Sequence, residues 1–559
     1  MKKQFFIITI SALCALTTGC TREYMEEVEH AISEQVDKNN KATAYMTAAF
    51  LLSTPPNSAK ESAADKQDLS NPEFNHVGTW MGKDWIENAT VIVFNGTADD
   101  ATFEKKQDYQ HNQLTVERVD GKNTKVKTKE AFTISTGAKT VFMVCNSNTT
   151  TTTYLDEKLV PGLTLKDFRN GVLSLPAGQA SVYTTEEGNV ADDIAKEVTK
   201  EGKSYDQILL TGETNAITIK PGISKDKAER FEDNIAKMNI QRAVARVVVT
   251  GPSSFQIRAK NPTTKIEEEN ALTINELTYV VAQGEKKLYL TQQANSDVKK
   301  NGAAFTTPAF DEIPQIAPFW TTESREDYKK VGAFYDYSGL LKNTAGYTHN
   351  QGIKVEEKDY VNTYDLRGEF VLPTLHKYVD RNAFFALDKT GYRKGNTAYV
   401  LVRGYLTPKY WIDENGNVAE GALDDNVTDL YLGDNGVFYV NQDHVRDPLK
   451  HGVLSQSARL FKNRQVLYWV WLNPDNMAKP VNSPVIRNNI YHINIKSIDR
   501  LGGNWNPLVP DGINNPNPFP NDNPFEPKTP PVDPGDPLHV GKPWIRVESW
   551  DVFSVGKAL

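Results

Sequence analysis

The chain has 559 residues, of which 39% are hydrophobic, so it is long enough to form two or three domains with cores of their own. Its 63 basic and 71 acidic side chains give a net charge of -8, which repels a phosphate backbone and argues against nucleic acid as a partner. The sequence has only three cysteines, so we expect a mature fold without disulfides, with Cys145 as a buried thiol.

The first nineteen residues have the pattern of an export signal. Two lysines at positions 2 and 3 precede an apolar run, residues 5–16, that is too short to span a bilayer. The run leads into Gly19-Cys20, which resembles a lipobox with Thr17 at the usual leucine position. We therefore predict a signal peptide over residues 1–19, cleavage between Gly19 and Cys20, and lipid attachment at Cys20; an unmodified cysteine after a plain signal is the alternative.

An isolated strand is predicted soon after the signal. Its apolar side chains alternate on one face, at Ala42, Ala44, Met46, Ala48, Phe50 and Leu52. Two prolines end it, and a polar, small-residue segment holding Lys60 and Lys66 follows, where proteolysis is expected to concentrate. We predict that residues 20–60 are a propeptide removed by cleavage between Lys60 and Glu61, with Lys66 as the second choice.

Strand patterns dominate the middle of the chain. Runs rich in Val, Ile, Thr, Tyr and Phe are separated by Gly, Asn, Asp and Pro, and lie at residues 89–94, 140–146, 243–250, 272–282, 398–406, 437–441, 466–472 and 490–498. Helical periodicity is confined to short pieces at residues 24–37 and 225–237. We predict an all-β fold of sandwiches, with a first domain over 61–251, a second over 252–505, and a proline-flanked junction near 251–261.

The C-terminal region predicts a long arm that carries one last strand. Eleven prolines occur in the 31 residues 507–537, so the arm, 506–539, is expected to be extended and to reach on the order of 95 Å. The terminal strand, 540–559, carries Trp544, Ile545, Val547, Trp550, Val552, Phe553 and Val555.

This terminal strand has two possible destinations. It can fold back as an edge strand of its own domain, or it can enter a neighbouring subunit by β-strand addition. The early isolated strand favours the second, because its removal would open a groove that the neighbour's strand fills. Such a head-to-tail contact does not close on itself and builds an open filament.

The ordered motifs along the chain resemble the FimA/Mfa-type fimbrillins of Bacteroidales. They are the lipobox-like Gly19-Cys20, then "ATAYMTAAFLL", "IENATVIVF", "TVFMVCN", "ILLTGE", "NIQRAVARVVV", "TAYVLVRGYL", "NGVFYVN" and "VIRNNIYHINIKSI". In its length and long appendage, the chain is most similar to the Mfa-type minor-fimbria shaft subunit, which is the major structural subunit of that fimbria.

The resemblance implies two transthyretin-like β-sandwich domains in a subunit that is delivered to the outer membrane as a palmitate-bearing lipoprotein. It further implies cutting by a maturation protease, polymerisation of identical subunits by donor-strand exchange, accessory tip and anchor subunits, and adhesion to host or bacterial surface ligands in virulence. The best-known members are cut after arginine, but no arginine lies between Arg22 and Arg118. Lys60 occupies the equivalent place, which leaves an anchor or accessory subunit as an alternative.

The chemical motifs argue against an enzyme. No HExxH, CxxC, Gly-x-Ser-x-Gly or P-loop pattern occurs, so we expect no catalytic residue, no metal and no cofactor. Residues 413–417 superficially resemble a calcium loop but fit a hairpin turn better. The aromatic run 468–471 is expected to lie in the core, and a surface glycan-binding lipoprotein is the alternative in which it would contact sugars.

Overall fold

The computed structural model describes residues 42–52, 84–119, 123–176, 190–214, 216–294, 305–310, 353–357, 368–377, 396–472 and 483–503, and the backbone of 543–549. Over these residues the chain is built almost entirely of strands, with three short helices of five to ten residues. The predicted all-β class is confirmed.

The first half of the described chain contains thirteen strands and the three helices. These are β1 Thr43–Leu52, β2 Asn88–Asn95, β3 Thr102–Gln110, β4 Leu114–Val119, β5 Asn123–Thr128, β6 Phe132–Ser135, β7 Gly137–Cys145, α1 Thr149–Lys158, α2 Leu165–Arg169, β8 Val172–Ser174, β9 Ala195–Lys200, β10 Lys203–Ile208, β11 Leu210–Glu213, β12 Ile217–Ile219, α3 Lys225–Glu229 and β13 Ile235–Arg242.

In the second half, the described residues form strands and three short 3-10 helices, Asp443–Arg446, Pro448–Lys450 and Lys462–Arg464. The strands are β14 Ala245–Thr250, β15 Ser254–Lys260, β16 Glu267–Ala282, β17 Lys287–Tyr289, β18 Gln293–Ala294, β19 Phe305–Thr306, β20 Ile353–Lys354, β21 Glu369–Val371, β22 Tyr399–Pro408, β23 Tyr410–Ile412, β24 Val418–Glu420, β25 Leu430–Gly433, β26 Phe438–Tyr439, β27 Ala458–Phe461, β28 Gln465–Trp471, β29 Asn489–Ile495 and β30 Pro543–Ser549.

A ten-stranded sheet organises the first half. Its strand order is β3-β2-β7-β11-β13-β1-β5-β4, with β6 pairing β1 and β12 pairing β7. Alternate residues of these strands point into one core, where Phe94 and Phe142 meet Phe168 of α2 at ring-centroid distances of 5.3 and 4.9 Å. Burial of such aromatic rings supplies a large part of the stabilising apolar area.

Two sheets of the second half pack on a shared core. Their strand orders are β21-β14-β29-β30 and β15-β16-β22-β28, with β20 beside β16. Val247 and Ile493 of the first sheet and Tyr279 and Tyr468 of the second belong to one buried cluster. Beyond them, β24-β23-β26-β25-β27 form a smaller sheet over residues 410–461.

The change from one core to the other falls earlier than the predicted domain boundary. Only Ala243 and Val244 separate β13 of the first sheet from β14, which pairs with β21 and β29. The predicted boundary at residues 251 and 252 lies after β14. Gly251 and Pro252 end a strand, and such a local signal carries no information about which sheet that strand joins.

The helical prediction for residues 225–237 is too long. The helix α3 ends at Glu229, and β13 begins at Ile235. In β13, Ala236 and Met238 are buried while Lys237 between them is exposed, which is the two-residue period of a strand. The predicted helix at 24–37 lies outside the described residues.

Candidate functional site: the strand-binding groove of the first sheet

The predicted propeptide strand lies inside the first sheet, with partners on both sides. From Thr47 to Leu52, β1 runs parallel to β13, and from Ala49 to Leu52 it also runs antiparallel to β5. Its first half, Thr43 to Met46, pairs antiparallel with β6. We call the channel bounded by β13, β5 and β6 the strand-binding groove; β1 fills it.

The inward face of β1 is part of the core. Ala44, Met46, Ala48, Phe50 and Leu52 are each at most 2% exposed and belong to the cluster of the first half. These five residues are two positions apart, so they all point to the same face of the strand. On that face, small alanines and larger side chains together fill the space in the core. Ala42, just before the strand, is exposed.

Hydrogen bonds outside the strand ladder also hold β1. Tyr45 N donates to Ile223 O at 3.2 Å and Thr47 N donates to Asn234 O at 3.1 Å. The Asn234 side-chain amide donates back to Tyr45 O at 3.1 Å. Ala48 N donates to the Thr128 hydroxyl at 3.2 Å. These side chains are buried or partly buried, so an empty groove would leave polar groups without partners.

The outer face of the groove is basic. Lys125 and Lys127 of β5 and Lys237 of β13 line a cavity of about 780 Å³ whose floor includes Ala49. The ring of Phe231 forms another wall, with its centroid 5.0 Å from Lys127 Nζ. The sequence prediction did not include these lysines, because nothing local in the sequence indicates that β5 and β13 meet β1.

The terminal strand lies at the edge of a second-half sheet in the single chain. The backbone of β30 pairs antiparallel with β29, with Ile545 opposite Ile493 and Val547 opposite Tyr491. This is the fold-back arrangement, one of the two destinations considered from the sequence. For Trp544, Ile545 and Val547 only the backbone is described, and Trp550, Val552, Phe553 and Val555 lie outside the described residues.

The predicted processing residues also fall outside the described part of the chain. They are Gly19, Cys20, Lys60, Glu61 and Lys66. Cys145 lies buried in β7, and burial raises the pKa of its thiol.

The residues considered for other chemistry have structural explanations. Asp413 caps a turn by accepting hydrogen bonds from the N–H groups of Asn415 and Asn417 at 2.9 and 2.8 Å, as expected for a hairpin. Tyr468, Val470 and Trp471 are buried, which removes them from contact with a sugar. Among the described residues, no group of three or more His, Cys, Asp or Glu side chains is placed to hold a metal ion.

No helix in the described part of the chain is both long enough and apolar enough to cross a membrane. The fold and the groove define a class: an all-β protein in which an N-terminal strand completes an internal position of a sheet.

Comparison with known proteins shows which family the chain resembles. The family described as "Major fimbrial subunit protein type IV, Fimbrillin, C-terminal" matches residues 459–551. The minor fimbrium subunit Mfa1 of Porphyromonas gingivalis is 28% identical over 457 residues, covering 78% of each chain. The resemblance recognised in the sequence is confirmed: the chain is similar to the Mfa-type fimbrillins, which are subunits of a surface fimbria.

The chain is also similar to parts of solved structures. A putative cell adhesion protein of Parabacteroides distasonis is 11% identical with a TM-score of 0.34, covering 90% of this chain and 97% of that one. The tip fimbrial protein Mfa3 of Porphyromonas gingivalis is 11% identical with a TM-score of 0.25, covering 82% of this chain and 97% of that one.

Proposed function

We propose that the chain is a structural, non-catalytic fimbrial subunit that polymerises by exchanging β1 for the C-terminal strand of a neighbour. The observation that carries the proposal is the internal position of β1, paired with β13 on one side and with β5 and β6 on the other. Residues 53–83 connect β1 to the rest of the sheet, and they contain the predicted cleavage site between Lys60 and Glu61. A cut there would leave β1 held by non-covalent contacts alone.

Loss of β1 would create a strong binding site for another strand. The facing edges of β13, β5 and β6 would present unpaired N–H and C=O groups, and such edges are templates for strand addition. The apolar positions now covered by Met46 and Phe50 would also be open to water. Each large apolar side chain that refills the groove contributes about 1.5–3 kcal/mol.

The C-terminal strand is the candidate replacement. In the part of the chain that the structure describes, β30 is an edge strand that pairs with β29 alone, so its release disrupts one described ladder. Alternatively β30 stays in place and residues 550–559 enter the groove; they are ten residues long, as is β1. The predicted proline-rich arm gives either segment the reach to a second subunit.

We infer the following roles for the other components. The precursor is exported, acylated at Cys20 and carried to the outer membrane, and a maturation protease then releases residues 20–60 with the lipid. Identical subunits form the homopolymer, accessory tip and anchor subunits end it, and adhesion to host or bacterial surface ligands follows from the assembled fimbria. Cleavage after lysine distinguishes this chain from relatives that are processed after arginine.

The N-terminus of the subunit in isolated fimbriae tests this proposal. We expect Glu61 as the first residue by mass spectrometry, with Lys60→Ala blocking maturation. A subunit in fimbriae that begins at acylated Cys20 and retains β1 would contradict strand exchange by this chain. That result would instead favour an anchor or accessory subunit, which keeps its own strand.

A further inference from the structure

We propose that the lysines of the strand-binding groove select the incoming strand by pairing with one of its carboxylates. The inference rests on the proposed exchange of β1. Ala49 lies directly opposite Lys127 of β5 and directly opposite Lys237 of β13, so one position of the inserted strand has a lysine on each side. Side chains directly opposite each other on one face of a sheet are close enough to interact.

The space above Ala49 is large enough for a longer side chain. Alanine ends at Cβ, and the cavity of about 780 Å³ opens over it between Lys125, Lys127 and Lys237. A residue that replaces Ala49 would project into this cavity. Shape therefore permits a glutamate or aspartate at this position, where β1 itself places almost no side chain.

The charges around the cavity are not balanced within the subunit. Among the described residues, neither Lys127 nor Lys237 forms an ion pair; Lys127 instead lies over Phe231. The one carboxylate in the lining, Glu213, is already bound by Arg169, whose Nε donates to it at 3.3 Å. A carboxylate between the two lysines would thus gain two favourable cross-strand pairs.

The C-terminal segment can supply that carboxylate, and β1 cannot. Residues 42–52 contain no charged side chain, whereas residues 540–559 contain Glu548 and Asp551, together with Lys542, Arg546 and Lys557. The two acids are three positions apart, so in an extended strand they point to opposite faces. Whichever way the strand enters, one acid lies on its outward face, and pairing with the lysines favours the register that sets this acid, rather than a basic residue, in the place of Ala49.

The test compares polymerisation of the full-length precursor after proteolytic release of β1. Lys127→Glu/Lys237→Glu is compared with Lys158→Glu/Lys166→Glu, which makes the same change of charge at exposed positions of α1 and α2. We expect about tenfold slower polymerisation for the groove variant only, since two attractive pairs become repulsive. The difference should shrink in high salt.

Reciprocal substitution in the C-terminal segment completes the test. Adding either Glu548→Lys or Asp551→Lys to the groove variant should restore the rate, and the one that does so identifies the outward face. Equal rates for the groove and control variants, or failure of both additions to restore the rate, would overturn the inference. If the wild-type precursor does not polymerise after release of β1, it is the proposed strand exchange that fails.

Discussion

A buried ion pair at the junction of the two halves shows how single residues fix the arrangement. Arg242, at the end of β13, donates from Nε to Asp84 at 2.8 Å and from Nη1 to Asn488 at 3.1 Å. All three side chains are buried, and Asn488 belongs to the second half of the chain. The guanidinium therefore joins elements that are 158 and 246 residues away in sequence.

Breaking this pair should be more damaging than removing it altogether. Arg242→Met leaves the Asp84 carboxylate buried without its cation, and we expect a loss of about 3–5 kcal/mol in the free energy of unfolding. Arg242→Met/Asp84→Leu should recover a large part of that loss, as measured by urea unfolding of the precursor. A double variant as unstable as Arg242→Met alone would contradict an electrostatic role.

A buried acid in the second half predicts a specific pH dependence. Glu285 is fully enclosed; its carboxyl accepts from Ala309 N at 3.0 Å and contacts the Thr307 hydroxyl. Burial raises the pKa of Glu285 from 4.5 to about 8. The unfolded chain releases this proton at lower pH than the folded chain does, so stability falls as the pH rises from about 4.5 to about 8.

Glu285→Gln should abolish that fall, because the amide keeps the shape and cannot ionise. We expect the variant to be more stable than the wild type by a few kcal/mol at pH 8, with the difference disappearing near pH 4.5. His376, whose pKa burial lowers to about 4, is present in both proteins and cancels in the comparison. A constant difference across this pH range would show that Glu285 does not titrate as described.

Among the secondary-structure elements, β1 shows what can be predicted from the sequence, and α3 shows what cannot. The alternation from Ala44 to Leu52 predicts a strand with one buried face, and the structure buries that face. This alternation carries no information about which strands pair with β1. The parallel pairing with β13, about 190 residues away, was therefore not predictable. At residues 225–237 two short periodic patterns overlapped, and the turn at Asn234 that separates α3 from β13 was missed.

Phe50 provides a test of which form of the protein contains β1. Phe50→Ala should destabilise the precursor by about 3–5 kcal/mol, because it opens a cavity in the core of the first half. The assembled fimbria should be unaffected, since the proposed strand exchange would discard this residue. Thermal unfolding of the precursor and the temperature at which fimbriae dissociate in SDS are the measurements.

Val126 of β5 is the matched control. It is fully buried on the groove wall and remains in both forms, so Val126→Ala should weaken precursor and fimbria alike. If Phe50→Ala also lowers the dissociation temperature of the fimbria, β1 is still present in the polymer.

At the scale of the whole molecule, the two halves are tied by backbone and side chains. The strand β17 of the second half pairs with β8 of the first. Arg487 donates to Tyr289 O at 2.8 Å and to Leu290 O at 3.2 Å, beside the buried Thr211 of the first sheet. These contacts between distant segments carry no local sequence signal.

In the proposed filament, the C-terminal strand of one subunit fills the groove vacated by β1 in the next. The most direct measurement compares the full-length precursor with the same chain lacking residues 540–559, each after limited trypsin digestion that releases β1. We expect an SDS-resistant ladder of oligomers from the full-length chain and only monomers from the truncated one. A truncated chain that polymerises equally well would contradict strand donation by residues 540–559.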